Sequence, residues 1–376
     1  MEGRTTLFAK ELNIINFRNF RNVKCSLGEK ITVISGQNGV GKSTLLSLIA
    51  SSCGLNKSSR LGRNFQPEFA EYFHIDEKEK FENYEIYLTF NEAKGARALT
   101  KKLDFKNDTN SKRGIRIIPR TTKEPGKPGT MKEEKDRVKS QYNVGPDARI
   151  KKPSLYLSLS RLYPLGEQNN TVSIISIKKT NPLYKKAYKK FTIWYNSVIP
   201  NSIQNEAELS IVEKSTCSRA SFHMDQNNTP ILSQSVGQDN LGNIISALVD
   251  LYLLSLEENY EGALLCIDEI DVSLHPDTQI RLLTLLKNLS EELNLQIVLT
   301  THSLTILKEI LKKEKSNYSS FRLIYLKSPS SPFAAVNKDY YRLKADLFSD
   351  TSYTPPKVKI FFEDSIAIDL FNLNFS

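Results

Sequence analysis

Residues 31–50 read ITVISGQNGVGKSTLLSLIA, in which two apolar runs flank a glycine-rich loop. The first run predicts a buried strand and the second predicts a helix. The residues at 36, 41, 42 and 43 match the pattern G-x-x-x-x-G-K-[ST], whose backbone amides cradle a chain of phosphates. The helix that follows turns its positive end toward the anion. The sequence therefore predicts a site for a nucleoside triphosphate at this loop.

The polar side chains of the loop have separate expected roles. Lys42 is expected to reach the terminal phosphates and to assist catalysis, and the Ser43 hydroxyl is expected to bind Mg²⁺. ATP and Mg²⁺ are the expected ligands. The loop residues predicted to bind the nucleotide are Asn38, Gly39, Gly41, Lys42, Ser43 and Thr44.

Two later apolar runs predict the rest of the catalytic centre. Residues 263–269 read ALLCIDE, an apolar strand that ends in two carboxylates, which is the Walker B pattern. Asp268 is expected to hold Mg²⁺, and Glu269 is expected to orient and deprotonate the attacking water. Residues 295–303 read LQIVLTTHS, a second buried strand followed by His302. Parallel strands present their carboxyl ends at one edge, so these residues are expected to meet.

Composition limits the class of protein. The chain has 376 residues and 39% hydrophobic content, enough for a sizeable core. It has no apolar run of membrane-spanning length and no signal peptide, which predicts a cytoplasmic protein without membrane contact. The four cysteines lie far apart and predict ordinary thiols.

The positive charge is concentrated in one segment. The formal net charge is +10, and residues 101–152 carry sixteen Lys or Arg against seven Asp or Glu, a net +9. This segment predicts either a surface that binds a nucleic-acid backbone or a solvated arm with scattered charge. Nucleic acid is therefore one candidate partner.

A short N-terminal sequence points to a family. Residues 16–20 read NFRNF, and together with the phosphate loop they resemble the opening of the ABC-type ATPases of the RecF, chromosome-maintenance and OLD (overcoming lysogenisation defect) group. The resemblance implies an α/β P-loop NTPase fold, an ABC-type ATPase head with a mixed central sheet, an antiparallel subsheet and a helical lobe. It also implies that Arg18 and Asn19 contact the nucleotide, with surface turn residues as the alternative.

Further motifs carry the same resemblance. Residues 235–238 read SVGQ and are similar to the core of the ABC signature, which implies that Ser235, Gly237 and Gln238 bind ATP held by a second subunit. A serine N-cap on a core helix is the alternative. Residues 274–276, LHP, resemble the OLD group, and His302 matches the switch histidine that touches the γ-phosphate. ABC-type ATPases carry a glutamine near the ordered run that spans 153–164 here, but this strand is expected to continue into Ser160 and Arg161, and Gln168 comes too late. We therefore assign the role of that glutamine to no residue.

The organisation of the chain follows from these motifs. We predict an ATPase domain over residues 1–350, with a flexible basic insertion at about 121–152 and a helical signature lobe at about 168–258. Strands at 84–90, 103–105 and 115–118 are expected to form the antiparallel subsheet. A helix is predicted at 181–200, and its aromatic side chains are expected either to pack against a neighbouring element or to stack on nucleic-acid bases.

The last segment, residues 351–376, resembles the start of a Toprim-like domain. Its predicted strand at 358–364 ends in acids. Either such a nuclease is vestigial, or it is truncated, or Glu363 is a surface carboxylate.

These predictions converge on one function. The chain is expected to be an ATP-hydrolysing ABC-type ATPase that forms a homodimer or higher homo-oligomer around ATP. The resemblance implies that it drives or gates a partner effector, a nuclease or toxin, in bacterial anti-phage defence. The alternatives are a RecF-like DNA-binding ATPase of DNA repair and the ATPase part of an OLD-type nuclease.

Overall fold

The computed structural model describes residues 6–92, 97–123, 128–168, 172–204, 207–227, 229–336, 338–349 and 360–375. The chain divides into two compact units, the first ending at Lys338 and the second beginning at Asp339. The strands of the first unit are β1 (Leu7–Phe17), β2 (Phe20–Ser26), β3 (Ile31–Gly36), β4 (Leu55–Ser58), β5 (Asn64–Phe65), β6 (Glu85–Glu92), β7 (Arg97–Asn107), β8 (Ile115–Thr122), β9 (Ser154–Leu157), β10 (Val172–Ser176), β11 (Leu209–Lys214), β12 (Ser221–Met224), β13 (Ala263–Ile267), β14 (Leu295–Thr300), β15 (Phe321–Lys327) and β16 (Phe333–Ala334).

The helices complete the element order. Those of the first unit are α1 (Lys42–Ala50), α2 (Phe69–Tyr72), α3 (Met131–Tyr142), α4 (Pro182–Val198), α5 (Val236–Ser255), α6 (Pro276–Glu292) and α7 (Leu304–Ser316). The second unit contains α8 (Tyr340–Leu347) and α9 (Ser365–Phe375). Within the described ranges, none of these helices has both the length and the hydropathy that crossing a membrane requires.

A six-stranded sheet positions the candidate site. Its strand order is β16-β15-β3-β14-β13-β9, and every neighbouring pair is parallel except β15 with β16. All residues of β3, β13 and β14 are buried, as expected for parallel strands covered on both faces. The carboxyl ends of these three strands therefore lie side by side, and each continues into one of the predicted motifs.

A second sheet confirms the predicted antiparallel subsheet. Its order is β2-β1-β6-β7-β8, and all of its pairs are antiparallel. The strands predicted at 84–90, 103–105 and 115–118 are β6, β7 and β8. Helix α1 contributes Leu45, Leu46 and Ile49 to a core that includes residues of both sheets. The mixed sheet, the subsheet and the phosphate-loop helix confirm the predicted α/β P-loop fold.

The prediction of a loop after residue 122 is wrong for residues 131–142, which form α3. A capping box starts this helix: the Glu133 amide donates to Thr130 Oγ1 at 3.2 Å, and the Thr130 amide donates to Glu133 Oε2 at 2.6 Å. Val138 is fully buried on its inner face. The run of Pro and Gly at 125–129 ends before the cap, and residues 124–127 lie outside the described residues.

The signature lobe also differs from its prediction, because it is only partly helical. Strands β10, β11 and β12 form an antiparallel sheet there, beside α4 and α5. Alternation of apolar and polar residues over five or six positions is too short a signal to find such strands reliably. The helix predicted at 181–200 is confirmed as α4, and its Phe191, Trp194 and Tyr195 are buried, so these aromatic rings pack in the core.

The described part of the strand predicted at 358–364 is not a strand in the structure. Residues 360–364 are not paired in a sheet, and Asp364 Oδ1 accepts a hydrogen bond from the Ala367 amide at 2.8 Å in the first turn of α9. Residues 358 and 359 of the predicted strand lie outside the described residues. Across the described part of the chain, no three His, Cys, Asp or Glu side chains group as metal ligands.

Candidate functional site

The phosphate loop joins the end of β3 to the start of α1, and its backbone requires glycine at two positions. Gly36 has a φ of 142°, and a Cβ there would lie 2.2 Å from the Leu326 carbonyl oxygen. Gly41 has a φ of 89°, and a Cβ there would lie 2.5 Å from the ring of Phe20. Both angles belong to the region that side chains disfavour. The chain therefore passes close to its neighbours on each side of the loop.

Helix α1 begins at Lys42 without a side-chain cap. The first amides of a helix have no carbonyl partner within it, so they are available to an anion. Lys42 Nζ donates to the carbonyls of Gly36 at 3.2 Å and Gln37 at 3.0 Å. Burial lowers the pKa of Lys42, and the carboxylates of Glu269 and Asp268 oppose that shift. Lys42, the first residue of α1, thus lies near the predicted catalytic carboxylates.

Asp268 follows β13 and faces the phosphate loop. The Ser43 hydroxyl donates to Asp268 Oδ1 at 3.0 Å, and Thr300 Oγ1 donates to the same oxygen at 2.6 Å. The Tyr156 hydroxyl donates to Asp268 Oδ2 at 3.5 Å. Asp268 is buried, and these donors compensate its charge. Strand pairing of β13 with β14 places Thr300 beside it, which local sequence alone does not show.

Glu269 has an unusual backbone conformation. Its φ is 45°, in the left-handed region that residues other than glycine rarely adopt. Its amide donates to Thr300 Oγ1 at 2.6 Å, and its carbonyl accepts from Arg161 Nη2 at 2.9 Å. Both backbone polar groups of Glu269 are therefore hydrogen-bonded. Sequence reasoning missed Thr300 and Arg161, although Arg161 lies four residues after the end of β9, close to where ABC-type ATPases carry a glutamine.

His302 follows β14, next to the phosphate loop strand. The ring is half-buried, and burial lowers its pKa below 6.5, with the Lys42 ammonium as the second cause. The carboxylates of Glu269 and Asp271 act in the opposite direction. The imidazole is therefore neutral at pH 7 and presents one donor and one acceptor.

The second half of the predicted site lies at the start of α5. Ser235 is the N-cap: its hydroxyl accepts from the Gln238 amide at 3.3 Å, and Gln238 Oε1 accepts from the Ser235 amide at 2.9 Å. A Cβ at Gly237 would lie 2.3 Å from the Ser273 carbonyl oxygen, so α5 starts against the loop after Glu269. Ser235 is exposed. The cap uses only the acceptor capacity of the hydroxyl, so its proton is available to another partner.

The remaining predicted residues lie around the loop. Arg18 donates to both carboxylate oxygens of Glu79, at 2.9 and 2.7 Å, and this hydrogen bonding raises its pKa. Asn19 Nδ2 donates to the Pro329 carbonyl at 3.3 Å. Asn38 and Gly39 are exposed at the loop tip, and Thr44 is half-buried in the first turn of α1. The nucleotide contacts of all five residues stay predictions.

The arrangement has the parts that phosphoryl transfer requires. An ammonium, a hydroxyl and two carboxylates converge at the N-terminus of a helix, and the parallel strands β3, β14 and β13 hold them there. Charge neutralisation and positioning carry most of the catalysis in such reactions.

The chain is similar in sequence to known proteins. The model of the AAA ATPase domain family matches residues 71–307. A stretch of 111 residues is 28% identical to the DNA replication and repair protein RecF of Clostridium acetobutylicum, covering 30% of this chain and 27% of that protein. The chain therefore spans about a quarter of the length of this curated relative.

Solved structures that match the chain include three heads of SMC proteins. The SMC head domain from Thermotoga maritima has a TM-score of 0.42 and 16% identity, covering 87% of this chain and 98% of that chain. The SmcHead bound to the C-winged helix domain of ScpA has a TM-score of 0.48 and 14% identity, covering 90% and 99%. The Smc head with an extended coiled coil bound to the C-terminal domain of ScpA, from Pyrococcus furiosus, has a TM-score of 0.48 and 12% identity, covering 90% and 98%.

Proposed function

Because the chain belongs to the AAA ATPase domain family, we propose that it works as an ABC-type ATPase, two copies of which close head to head around ATP. Each ATP is bound by the phosphate loop of one copy and by the start of α5 of the other. The observation that carries this proposal is the position of Ser235: it is exposed at the N-terminus of a 20-residue helix, with a hydroxyl proton to donate.

The phosphate loop provides the first half of the binding site. The amides of Asn38, Gly39 and Gly41 surround the phosphates, and Lys42 contacts the terminal ones. Thr44 lies beside the α-phosphate. Arg18 and Asn19 lie on the turn between β1 and β2 and complete the pocket. The open N-terminus of α1 supports this assignment, because its dipole favours the triphosphate.

Mg²⁺ fits the pair formed by Ser43 and Asp268. A hydroxyl oxygen and a carboxylate oxygen lie 3.0 Å apart, and both are hard ligands of the kind that Mg²⁺ prefers. These two residues would hold the ion, which neutralises phosphate charge when it is bound.

Glu269 and His302 act on the terminal phosphate. Glu269 orients the attacking water and accepts its proton, and the neutral His302 donates a hydrogen bond to a γ-phosphate oxygen. The second copy contributes the Ser235 hydroxyl and the amides of Gly237 and Gln238. Hydrolysis removes the γ-phosphate that both copies contact, so the dimer then opens.

Glu269→Gln and Lys42→Ala test this proposal together. With Mg²⁺ and ATP, Glu269→Gln is expected to form a stable dimer by light scattering, because ATP is bound but not hydrolysed. Lys42→Ala is expected to lose ATP binding and to show no such dimer. Turnover by Glu269→Gln at the parent rate, or no ATP-dependent association, contradicts the proposal.

We further propose that the closing motion drives or gates an effector, a nuclease or toxin, in bacterial anti-phage defence. The support is the resemblance of the sequence LHP at 274–276 to the OLD group. In the structure, His275 caps α6 by accepting from the Asp277 amide at 3.3 Å. Phage plating on cells that carry the chain with its flanking genes tests this. Protection is expected to be lost with Lys42→Ala and kept with the surface variant Lys308→Glu; equal protection by both contradicts the proposal.

A lysine face on α4 favours a second candidate function, DNA binding. Lys185, Lys186 and Lys189 are exposed and have no carboxylate partner within the described residues, whereas Lys190 pairs with Glu292 at 2.9 Å. Such a face suits a phosphate backbone. The double variant Lys185→Glu, Lys189→Glu is expected to weaken binding to duplex DNA. The slope of log K against log salt concentration is expected to fall by an amount that corresponds to about two phosphate contacts. The matched control is Lys308→Glu with Lys315→Glu, and equal effects of both pairs refute this candidate.

A further inference from the structure

A buried arginine lies between the Walker B loop and the start of α5. Arg161 is 3% exposed, in the turn after β9. Nη1 donates to the carbonyls of Leu157 at 3.2 Å and Ser158 at 2.8 Å. Nη2 donates to the Glu269 carbonyl at 2.9 Å, and Nε donates to Asn240 Oδ1 at 2.9 Å. A single guanidinium therefore joins three separate parts of the chain.

The contact with Glu269 matters because that residue is in a left-handed conformation, with φ at 45°. Such a conformation costs of the order of 1–3 kcal/mol and persists only where surrounding contacts hold it. Thr300 Oγ1 holds the amide, and Arg161 Nη2 holds the carbonyl. Loss of the arginine contact leaves the carbonyl side of Glu269 without its hydrogen bond, and the Glu269 carboxylate then samples other directions.

The other end of the contact is on α5. Asn240 accepts from Arg161 and donates through Nδ2 to the Val272 carbonyl at 2.8 Å, in the loop after Glu269. A second link runs in parallel: Lys214 Nζ forms a buried ion pair with Asp239 of α5 and donates to the Arg161 carbonyl at 3.0 Å. Displacement of α5 therefore displaces the Arg161 side chain and backbone together.

We propose that Arg161 is a positioning residue that holds Glu269 in its water-activating direction and transmits the position of α5 to it. The inference rests on the proposed role of Glu269. When the start of α5 engages ATP on the second copy, Asn240 moves with the helix, and Arg161 aligns Glu269. Hydrolysis is thereby tied to closure of the dimer.

Only arginine fits this position. Its guanidinium is a planar fork with five N–H donors, and here it donates to four acceptor atoms in three parts of the chain. A lysine ammonium at the same place reaches either the Glu269 carbonyl or Asn240, because it is one compact group. Burial lowers the pKa of Arg161 to about 10, with the carboxylates of Asp268 and Glu269 opposing, so the group stays charged at pH 7.

Arg161→Met, Arg161→Lys and the control Arg149→Met test the proposal. Arg149 is also a mostly buried arginine, and it pairs with Glu68 at 2.9 Å. For Arg161→Met, kcat is expected to fall about 100-fold with KM for ATP within threefold of the parent, as a misplaced catalytic group predicts. Arg161→Lys, which keeps the charge and most of the volume, is expected to lose about tenfold in kcat. Arg149→Met is expected to keep the parent kcat when the rate is divided by the concentration of folded protein.

A second readout separates positioning from a structural role. In a Glu269→Gln background, Arg161→Met is expected to lower the residual rate by less than about threefold, because the group it positions is already absent. Additive losses overturn the proposal, as does a kcat of Arg161→Lys equal to the parent. If Glu269→Gln itself turns over normally, the proposed function fails; if it is slow while both Arg161 variants are normal, only this inference fails.

Discussion

Replacing Thr300 by valine removes one hydroxyl that bonds both the Asp268 carboxylate and the Glu269 backbone amide. Thr300 is fully buried at the end of β14. Its Oγ1 accepts from the Glu269 amide at 2.6 Å and donates to Asp268 Oδ1 at 2.6 Å. Valine fills nearly the same volume, so the change removes two hydrogen bonds with little change in packing.

The two losses set the expected magnitude. A buried amide without an acceptor costs about 1–3 kcal/mol, and a carboxylate that loses a donor costs about 1.5–3 kcal/mol. Asp268 keeps the Ser43 and Tyr156 hydroxyls as donors, which reduces the second cost. We expect Thr300→Val to lower the free energy of unfolding by about 3 kcal/mol and kcat by about 100-fold.

Urea unfolding and steady-state ATP turnover measure the two effects, with Thr32→Val as the matched control. Thr32 is also fully buried in the central sheet, and its Oγ1 accepts from the Gly28 amide at 2.8 Å, away from the carboxylates. Thr32→Val is expected to lose about 1–3 kcal/mol of stability and to keep the parent kcat. If Thr300→Val keeps the parent kcat as well, the argument that Thr300 positions the carboxylates is refuted.

Three further predictions concern His223, Gly41 and Ser43. Burial, with the Lys214 ammonium as a second cause, lowers the pKa of His223 from 6.5 to about 3, so its neutral form is present in the folded state. As pH falls from 6.5 toward 3 the unfolded chain takes up a proton that the folded chain does not, and stability falls by up to about 1.4 kcal/mol per pH unit from this group. Denaturant titrations at several pH values give the free energy of unfolding of the parent and of His223→Asn. Between pH 6.5 and 3 this free energy is expected to fall more steeply with decreasing pH for the parent, and equal pH dependences contradict the assignment. Gly41→Ala is expected to weaken ATP binding more than tenfold by calorimetry, because its Cβ meets Phe20 and its φ is 89°; an affinity within threefold of the parent is the opposing result. Ser43→Ala is expected to raise the Mg²⁺ concentration for half-maximal turnover at least tenfold, whereas Ser47→Ala is not, and equal Mg²⁺ responses count against Ser43 as a ligand.

Contiguous motifs made much of the fold predictable from sequence. The strand, loop and helix at 31–50 and the strand at 263–267 are each continuous, and their apolar runs predict burial by themselves. The prediction of an ATPase is confirmed by the family match. The roles assigned to Glu269, His302 and Ser235 stay predictions, although the first two interact electrostatically with Lys42 of the phosphate-loop motif.

The contacts that hold the site could not be predicted, because they join distant parts of the chain. Arg161 reaches Glu269 over more than a hundred residues, and Thr300 reaches Asp268 only because β14 pairs with β13. Their residue types are ordinary, and their significance comes from strand register and helix placement. The capping-box residues Thr130 and Glu133 do indicate the start of α3 in the sequence, but the Pro and Gly residues just before them favour a loop.

Complementation between two inactive copies tests the shared ATP site most directly. Lys42→Ala removes the phosphate-loop lysine, and Ser235→Arg blocks the start of α5. In an equal mixture that exchanges subunits, half of the dimers contain both copies, and each has one intact site, so turnover is expected to rise to about a quarter of the parent rate. A mixture as inactive as either variant alone contradicts the account.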